Sequence, residues 1–477
     1  MFLLLNSRKQ NSGRLTFTLV WSGQLVSLIG SGITSFALDI WVYQQNESVT
    51  QFAIASLCGT LPFILISPLA GSLIDRWNRR IPMILGDLGA GLSTLTIALV
   101  LLSSSLEIWH VYLATAAISC FAAFQVPAYM AAIPSLVPKH SLDRANGMIQ
   151  MGHAIAQLVA PVLGGVLLVT IGLKGIILLD FATFLVALAT LLSVRFPDVR
   201  RTREKARTSV WRDSLEGWAY VAARPGLVGL VIFFAASNFL IGMVTILATP
   251  FILSFASAAV LGTIVSISGF GMLLGGLVMS ASHGIHGRMT RIFSCTFLSG
   301  LAMLAAGLRP SVPLFTCAAF VFFFCIPVIQ GSSHTIFQQK VQPDLQGRVF
   351  VLIAAISGAS LPLSYLIAGP LADQVFEPLM AAGGALAGSI GQFIGTGQGR
   401  GIGLLFMIAG ALAMLASLLA SRYPRLRLLE EELPDTEINP IVVDAAERNR
   451  SASGINNYIS PEILAMEVAS PAKKVDG

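Results

Sequence analysis

The chain is 477 residues long, 55% hydrophobic and only 11% charged, with a net charge of +6 and a mean hydropathy of +0.77. A water-soluble domain carries roughly 25% charged residues, so a soluble globule is excluded and lipid must be the solvent over most of the surface. Cys58, Cys120, Cys295, Cys317 and Cys325 all fall in apolar runs, which argues against a disulfide framework or a zinc site and leaves them as small buried apolar residues.

A membrane-crossing helix needs about 20 apolar residues for a hydrocarbon core of roughly 30 Å. Runs of that length recur at 16–43, 50–70, 81–103, 109–133, 146–170 and 176–194, then at 226–254, 258–281, 290–308, 311–333, 348–372 and 401–420. Leu, Ala, Ile and Gly dominate them and no period-two alternation appears, so a β-barrel is disfavoured. The expected fold is an all-α membrane protein with twelve transmembrane helices in two pseudo-symmetric six-helix halves. The opening MFLLLNSRK places its basic residues after the apolar stretch, the wrong order for a cleavable signal, so the first span is expected to act as signal anchor. Residues 1–194 form the expected N-terminal half and 226–420 the C-terminal half. Between them, 195–225 is a polar linker that would carry Trp211, Leu215 and Trp218 on one face of an amphipathic helix. The polar tail 421–477, rich in Glu, Ser, Asn and Pro, is expected to be disordered.

All but three of the basic residues (Lys174, Arg309 and Arg400) fall on one side of this arrangement. The positive-inside rule puts that side and both termini in the cytoplasm of a plasma or inner membrane. The net positive charge is then topological, resting on anionic headgroups, and no nucleic-acid partner is expected. The halves also match in detail. Leu136-Val137-Pro138 and Arg144 lead into the fifth span as Val341-Gln342-Pro343 and Arg348 lead into the eleventh, and Ala160-Pro161 is mirrored by Gly369-Pro370.

Two motifs stand out. Gly71-Ser-Leu-Ile-Asp75-Arg76-Trp-Asn-Arg79-Arg80 fills the loop between the second and third spans; read blandly, it is an ordinary basic cytoplasmic loop. In the fifth span Gly152, Ala160, Pro161, Gly164 and Gly165 form a small-residue stripe ending A-P-x-x-G-G, which allows close helix packing. The loop resembles the G-x-x-x-D-R-x-x-R-R/K motif of the major facilitator superfamily, and the stripe resembles the antiporter motif of its drug exporters, with Ala160 in place of Gly. QLVSLIGSGITSFALDIWVYQ in the first span and LVPKHSLDRANGM before the fifth are similar to the macrolide-efflux branch of drug:proton antiporters, which also includes a siderophore exporter. The resemblance runs from about residue 15 to 430. It implies a gating role for Gly71, Asp75, Arg76, Arg79 and Arg80, a leak-sealing seam at the stripe, and coupling to protons. The sequence departs from the pattern in two places: the fourth span lacks the buried Arg of many proton antiporters, and the second half carries no acidic counterpart of Asp75 between Ser280 and Arg291.

Ionisable groups inside a span cost about 2.5–3.5 kcal/mol each by insertion scales, so each asks for a reason. Asp39, Asp87, Asp180 and His153 qualify, with Gln150 and Gln157 beside His153 on one helix face. Gln24, Gln125, Asn238 and Gln330 are further cavity candidates. Two readings stand for each ionisable group: Asp87 either pairs with Arg79 or Arg80 or faces the cavity; Asp39 and Asp180 are either hydrated near the interface or buried for coupling; His153 is either a packing residue or a cavity group. Phe233, Phe234 and Phe322–Phe324 are core, lipid-facing or pocket groups. No convergent nucleophile or acid/base set appears, so no enzymatic activity is expected. Gly397-Gln-Gly-Arg-Gly follows no strand, no Lys follows a Gly, and His283 and His286 stand isolated, so no nucleotide, metal or other cofactor is expected. The expectation is a monomeric secondary efflux transporter in the lipid bilayer, exporting an amphipathic, macrolide- or drug-like small molecule by alternating access in exchange for protons. A dedicated siderophore or metabolite exporter is the alternative, with a non-transporting membrane scaffold more remote.

Overall fold

The structure, a computed structural model, describes residues 2–74, 80–103, 106–137, 142–194, 218–281, 287–340 and 343–427. Twelve long helices dominate it. The first six are α1 (Phe2–Asn46), α2 (Val49–Ile74), α3 (Arg80–Leu102), α4 (Ile108–Leu136), α5 (Leu142–Thr170) and α6 (Gly172–Ser193). The second six are α7 (Pro225–Leu253), α8 (Ala258–Ala281), α9 (Arg288–Leu308), α10 (Val312–Lys340), α11 (Pro343–Pro370) and α12 (Arg400–Arg422). Each predicted span coincides with one of them to within a residue or two of its end or lies inside it. Eleven are both long and apolar enough to cross a membrane; α11, with 28 residues, spans about 42 Å at 1.5 Å per residue and completes the twelve.

Local chemistry sets the helix ends. Between α1 and α2, Glu47 takes a left-handed φ of 52°, and the Ser48 hydroxyl accepts from the Gln51 N–H as the N-cap of α2. A left-handed Gly172 opens α6, and Gly287 and Gly399, also at positive φ, precede α9 and α12. Pro225 starts α7, where its missing N–H is no loss. The stretch between α11 and α12 is partly helical. The helix widens into a π-helix at Leu371–Phe376, continues as Glu377–Met380, and a short turn at Gly391–Ile394 leads into α12.

Packing repeats under a shift of six helices. In the first set α1 lies on α5 and α6, α2 on α4, and α3 on α4 and α6; in the second α7 lies on α11 and α12, α8 on α10, and α9 on α10 and α12. The sets meet along two seams, α5 with α8 and α2 with α11. Large apolar side chains such as Leu92, Leu163 and Leu277 are exposed on the bundle's outside, where a soluble protein would place polar groups and a membrane protein meets lipid.

The cores differ at the two ends of the bundle. At the end bearing Glu47, one cluster crosses between the sets, joining Ile40, Tyr43, Val49, Phe52 and Ala53 to Leu240, Leu247, Tyr365, Ala368 and Ala372. At the end bearing Arg80, the clusters stay within one set: Val20, Met83 and Leu191 in the first, and Leu227, Ile292, Ile336 and Val349 in the second. Among the described residues, the two sets are therefore locked together at the Glu47 end and packed separately at the Arg80 end.

Candidate functional site: two lobes, one in each helix set

The first lobe, about 260 Å³, lies among α1, α3, α4 and α5. Its polar wall is built from three helices. Gln125 of α4 donates from Nε2 to Gln24 Oε1 at 2.9 Å, and Gln24 of α1 donates from Nε2 to Asp87 Oδ2 of α3 at 2.9 Å. The chain of amides ends on the carboxylate, so the Asp87 charge is met by hydrogen bonds while its face stays on the cavity. Gly86 makes this possible, because a Cβ there would sit 2.4 Å from Gln125 Cβ. Trp21 donates from Nε1 to the Met148 carbonyl at 3.0 Å, and the Tyr129 hydroxyl at the same lobe has no hydrogen-bond partner.

A smaller polar extension of about 110 Å³ leads from this lobe into the first helix set, sharing Ser27, Ser31 and Asp87 with it and reaching Asp39 and Asp180. Asp180 is only 4% exposed and accepts from the Ser31 hydroxyl at 3.0 Å and the Thr94 hydroxyl at 3.4 Å. These hydroxyls satisfy a carboxylate that burial would otherwise leave costly.

The second lobe, about 320 Å³, lies among α7, α9, α10, α11 and α12 and carries hydroxyls and amides instead: Ser237, Asn238, Thr296, Ser299, Gln330 and Ser333, with His334. Asn238 donates to the Phe234 carbonyl of its own helix at 2.9 Å. Ser237 Oγ and Thr296 Oγ1 have no partner. Among the described residues, neither lobe has a Lys or Arg in its wall. The counterpart of the polar extension is an apolar pocket of about 200 Å³ lined by Leu261, Ile264, Phe315 and Phe406.

The structure brings together Gln24, Asp87, Gln125 and His153 in one lobe and Asn238 and Gln330 in the other, with Asp39 and Asp180 behind the first. Asp87 lines the first lobe, and Arg80 Nη2 donates to the Leu192 carbonyl at 2.8 Å, where a cation complements the α6 C-terminus; Arg79, the other partner weighed for Asp87, lies outside the described residues. Asp180 takes the buried reading, because α6 begins at Gly172 and sets it two turns deep. Gln150 and Gln157 are exposed on the His153 face of α5 but are not in the lobe's wall. Phe234 is buried and touches the second lobe, Phe322 is buried and lines the apolar pocket, and Phe233 is buried core. Asp75, Arg76 and Arg79 lie outside the described residues; Gly71 falls in α2, in a stretch whose side chains are not described.

The stripe of α5 splits between two partners. Gly152, Ala160 and Gly164 face α1, where they approach Trp21, Gly32 and Phe36. Pro161 and Gly165 face α8, where a Cβ on Gly165 would come 2.9 Å from the Ala258 carbonyl. The α8 side contributes Gly262, Gly269 and Ser266, whose hydroxyl donates to the Leu158 carbonyl. Sequence reasoning did not single out these three, nor Trp21, Ser31, Thr94, Ser237 and Thr296. Hydroxyls and glycines are common in any transmembrane helix, and only their joint placement marks them.

Two six-helix sets, tied along paired seams and each holding a polar lobe, form the architecture of a membrane transporter. The chain belongs to the Major Facilitator Superfamily, whose family model matches residues 20–365. It is 28% identical over 376 residues to macrolide efflux protein A of Streptococcus pyogenes, covering 77% of this chain and 92% of that protein. To the multidrug efflux pump Tap of Mycolicibacterium fortuitum it is 24% identical over 371 residues, 76% of this chain and 90% of that one. In fold it matches an inward-facing, unoccupied bacterial homologue of the human lysosomal transporter Spinster, with TM-score 0.63 at 18% identity, covering 85% of this chain and 97% of that one.

Proposed function

We propose that this chain is a secondary active exporter that moves an amphipathic, macrolide- or drug-like molecule out of the cell by alternating access, in exchange for protons. The observation that carries this reading is a polar lobe in each helix set, with the described residues of the two sets locked together at the Glu47 end and packed apart at the Arg80 end. With the Lys/Arg-rich side in the cytoplasm, this is the inward-open state, loading substrate from inside. Residues 1–194 and 226–420 act as the two rocking halves, joined by 195–225, with 421–477 a cytoplasmic tail. Asp75, Arg76, Arg79 and Arg80, with Gly71, gate the cytoplasmic end, and the α5 stripe seals the seam. Asp87, backed by Asp39 and Asp180, carries the proton traffic. The likeness to a macrolide efflux protein and to the multidrug efflux pump Tap supports export, and lobes whose described walls hold no Lys or Arg favour neutral or cationic amphiphiles over anionic siderophores.

The test is purified protein in liposomes under an imposed pH gradient, with a pH-sensitive dye reporting while macrolides, other amphipathic drugs and siderophores are added in turn. Proton flux that depends on a macrolide or amphipathic drug supports the reading. Response to a siderophore alone transfers it to a dedicated exporter, and silence from folded protein across the panel overturns proton-coupled export.

A further inference from the structure

The seam between α2 and α11 carries a contact that the cavity does not explain. An α-helix leaves the N–H groups of its first turn without intrahelical partners. In α2 these are met from the other half of the molecule. Asp373 accepts from the Val49 N–H at 3.0 Å, the Thr50 N–H at 2.8 Å and the Ser48 hydroxyl at 2.8 Å. One carboxylate thus caps a helix belonging to the opposite half, while Ser48 caps the next N–H from within.

Two features bring the carboxylate there. Gly369 lets α11 approach so closely that a Cβ at that position would lie 2.8 Å from Thr50 Cα. The π-helix Leu371–Phe376 then changes the register of the chain just where Asp373 must face α2, in line with the habit of π-bulges to mark functional positions. Beside it, Gln398 donates from Nε2 to Glu47 Oε2 at 2.6 Å, a second link between the halves, and Glu47 is held at positive φ. Glu377, the neighbouring carboxylate, is occupied within its own half, accepting from the Gly399 and Ile402 N–H groups.

We infer that Asp373 is the outer gating residue of this transporter: by capping α2 in trans it holds the two halves together at the Glu47 end, and it must release α2 whenever that end opens. The inference rests on the alternating-access reading. Its contacts exist only while α2 and α11 touch, so they favour one state over the other, which is what a ligand or contact needs to shift a conformational equilibrium. The charge–dipole match of a carboxylate on a helix N-terminus strengthens it, and substitutions here act on the balance of states and not on the cavity.

The test is pulsed electron resonance between spin labels at Lys174→Cys and Arg309→Cys, two exposed positions at the Glu47 end in opposite halves, in a background without the native cysteines. The protein is compared as wild type, Asp373→Asn, Ser48→Ala and Gly262→Trp, each checked for monodispersity. The tryptophan is a wedge, because even a Cβ on Gly262 would come 2.3 Å from the Pro161 carbonyl. Loss of charge-assisted hydrogen bonds in Asp373→Asn should raise the ratio of long to short distances roughly tenfold, with Ser48→Ala lying between it and wild type. If the wedge lengthens the distance and Asp373→Asn leaves it as in wild type, the gating role is overturned and alternating access stands. If neither lengthens it, alternating access falls and the gating role falls with it.

Discussion

At the scale of the residue, the polar groups of the first half are arranged to keep one carboxylate exposed to the cavity and another buried. Asp87 sits at the end of the Gln125–Gln24 chain and faces the lobe. Asp180 is enclosed by Ser31 and Thr94. Different consequences follow from removing each. Asp87→Asn keeps the shape and an acceptor oxygen but cannot exchange a proton, so substrate-driven proton flux in liposomes should fall at least about tenfold, the effect of roughly 1.4 kcal/mol, while thermal stability stays near wild type. Unchanged flux would remove Asp87 from the coupling path. Asp180→Ala strands the buried Thr94 hydroxyl, which costs on the order of 1–3 kcal/mol, so a melting curve in detergent should drop by several degrees; an unshifted melt would mean that water already serves that hydroxyl. Each of these acids was legible in the sequence because a charge inside an apolar run is conspicuous. Their roles were not legible, because Gln24, Asp87 and Gln125 stand on three helices and only packing makes them one network. Asp373 escaped notice for the opposite reason: at the edge of a span, beside a glycine-rich stretch, an acid looks like ordinary loop polarity.

The element scale turns on how closely helices from the two halves approach. Along α5 and α8 the contact is backbone to side-chain-free backbone: Gly165 against Ala258 and Gly262 against Pro161. Packing of this kind depends on small residues where apolar association has no driving force. Gly262→Val should therefore prise the seam and reduce export strongly, by tenfold or more in roughly the range that a packing loss of about 1.4 kcal/mol gives, at normal expression. Gly276→Val in the same α8, where a Cβ meets nothing within 4 Å, should leave export near wild type. Equal loss in both variants would mean that α8 tolerates no added bulk anywhere and that the seam has no special role. Half of this seam could be read in advance: the stripe on α5 has a motif's spacing, and Pro161 punctuates it. The α8 half could not, since Gly262 and Gly269 are two among many glycines and their partners lie about a hundred residues away in the chain. Helix positions were legible for a simpler reason. Twelve runs long enough to cross a bilayer leave little freedom about where helices lie, whereas the π-helix after α11 has no signature in hydropathy at all.

On the scale of the whole molecule, packing is nearly symmetric and chemistry is not. Shifting by six helices maps one set of contacts onto the other, yet the polar extension with Asp39, Asp87 and Asp180 belongs to the first half and its counterpart in the second is an apolar pocket. The second lobe offers unpartnered hydroxyls, Ser237 and Thr296, the kind of group that gains most from a substrate oxygen because it forfeits no bond to accept one. Under the proposed proton-coupled export, proton handling would fall to the first half and substrate holding to the second. That division predicts a split in kinetics. Ser237→Ala combined with Thr296→Ala removes ground-state contacts, so it should raise the KM for an oxygen-rich amphiphile by about tenfold, as one or two hydrogen bonds of roughly 1 kcal/mol imply. The maximal rate and the number of protons moved per substrate should stay as in wild type. Asp87→Asn should do the reverse, lowering the rate of coupled flux and leaving substrate binding, measured by tryptophan quenching, within about twofold. Were the double alanine variant to change the proton count, or Asp87→Asn to abolish binding, the two lobes would form one shared site. The asymmetry between the halves would then concern packing alone.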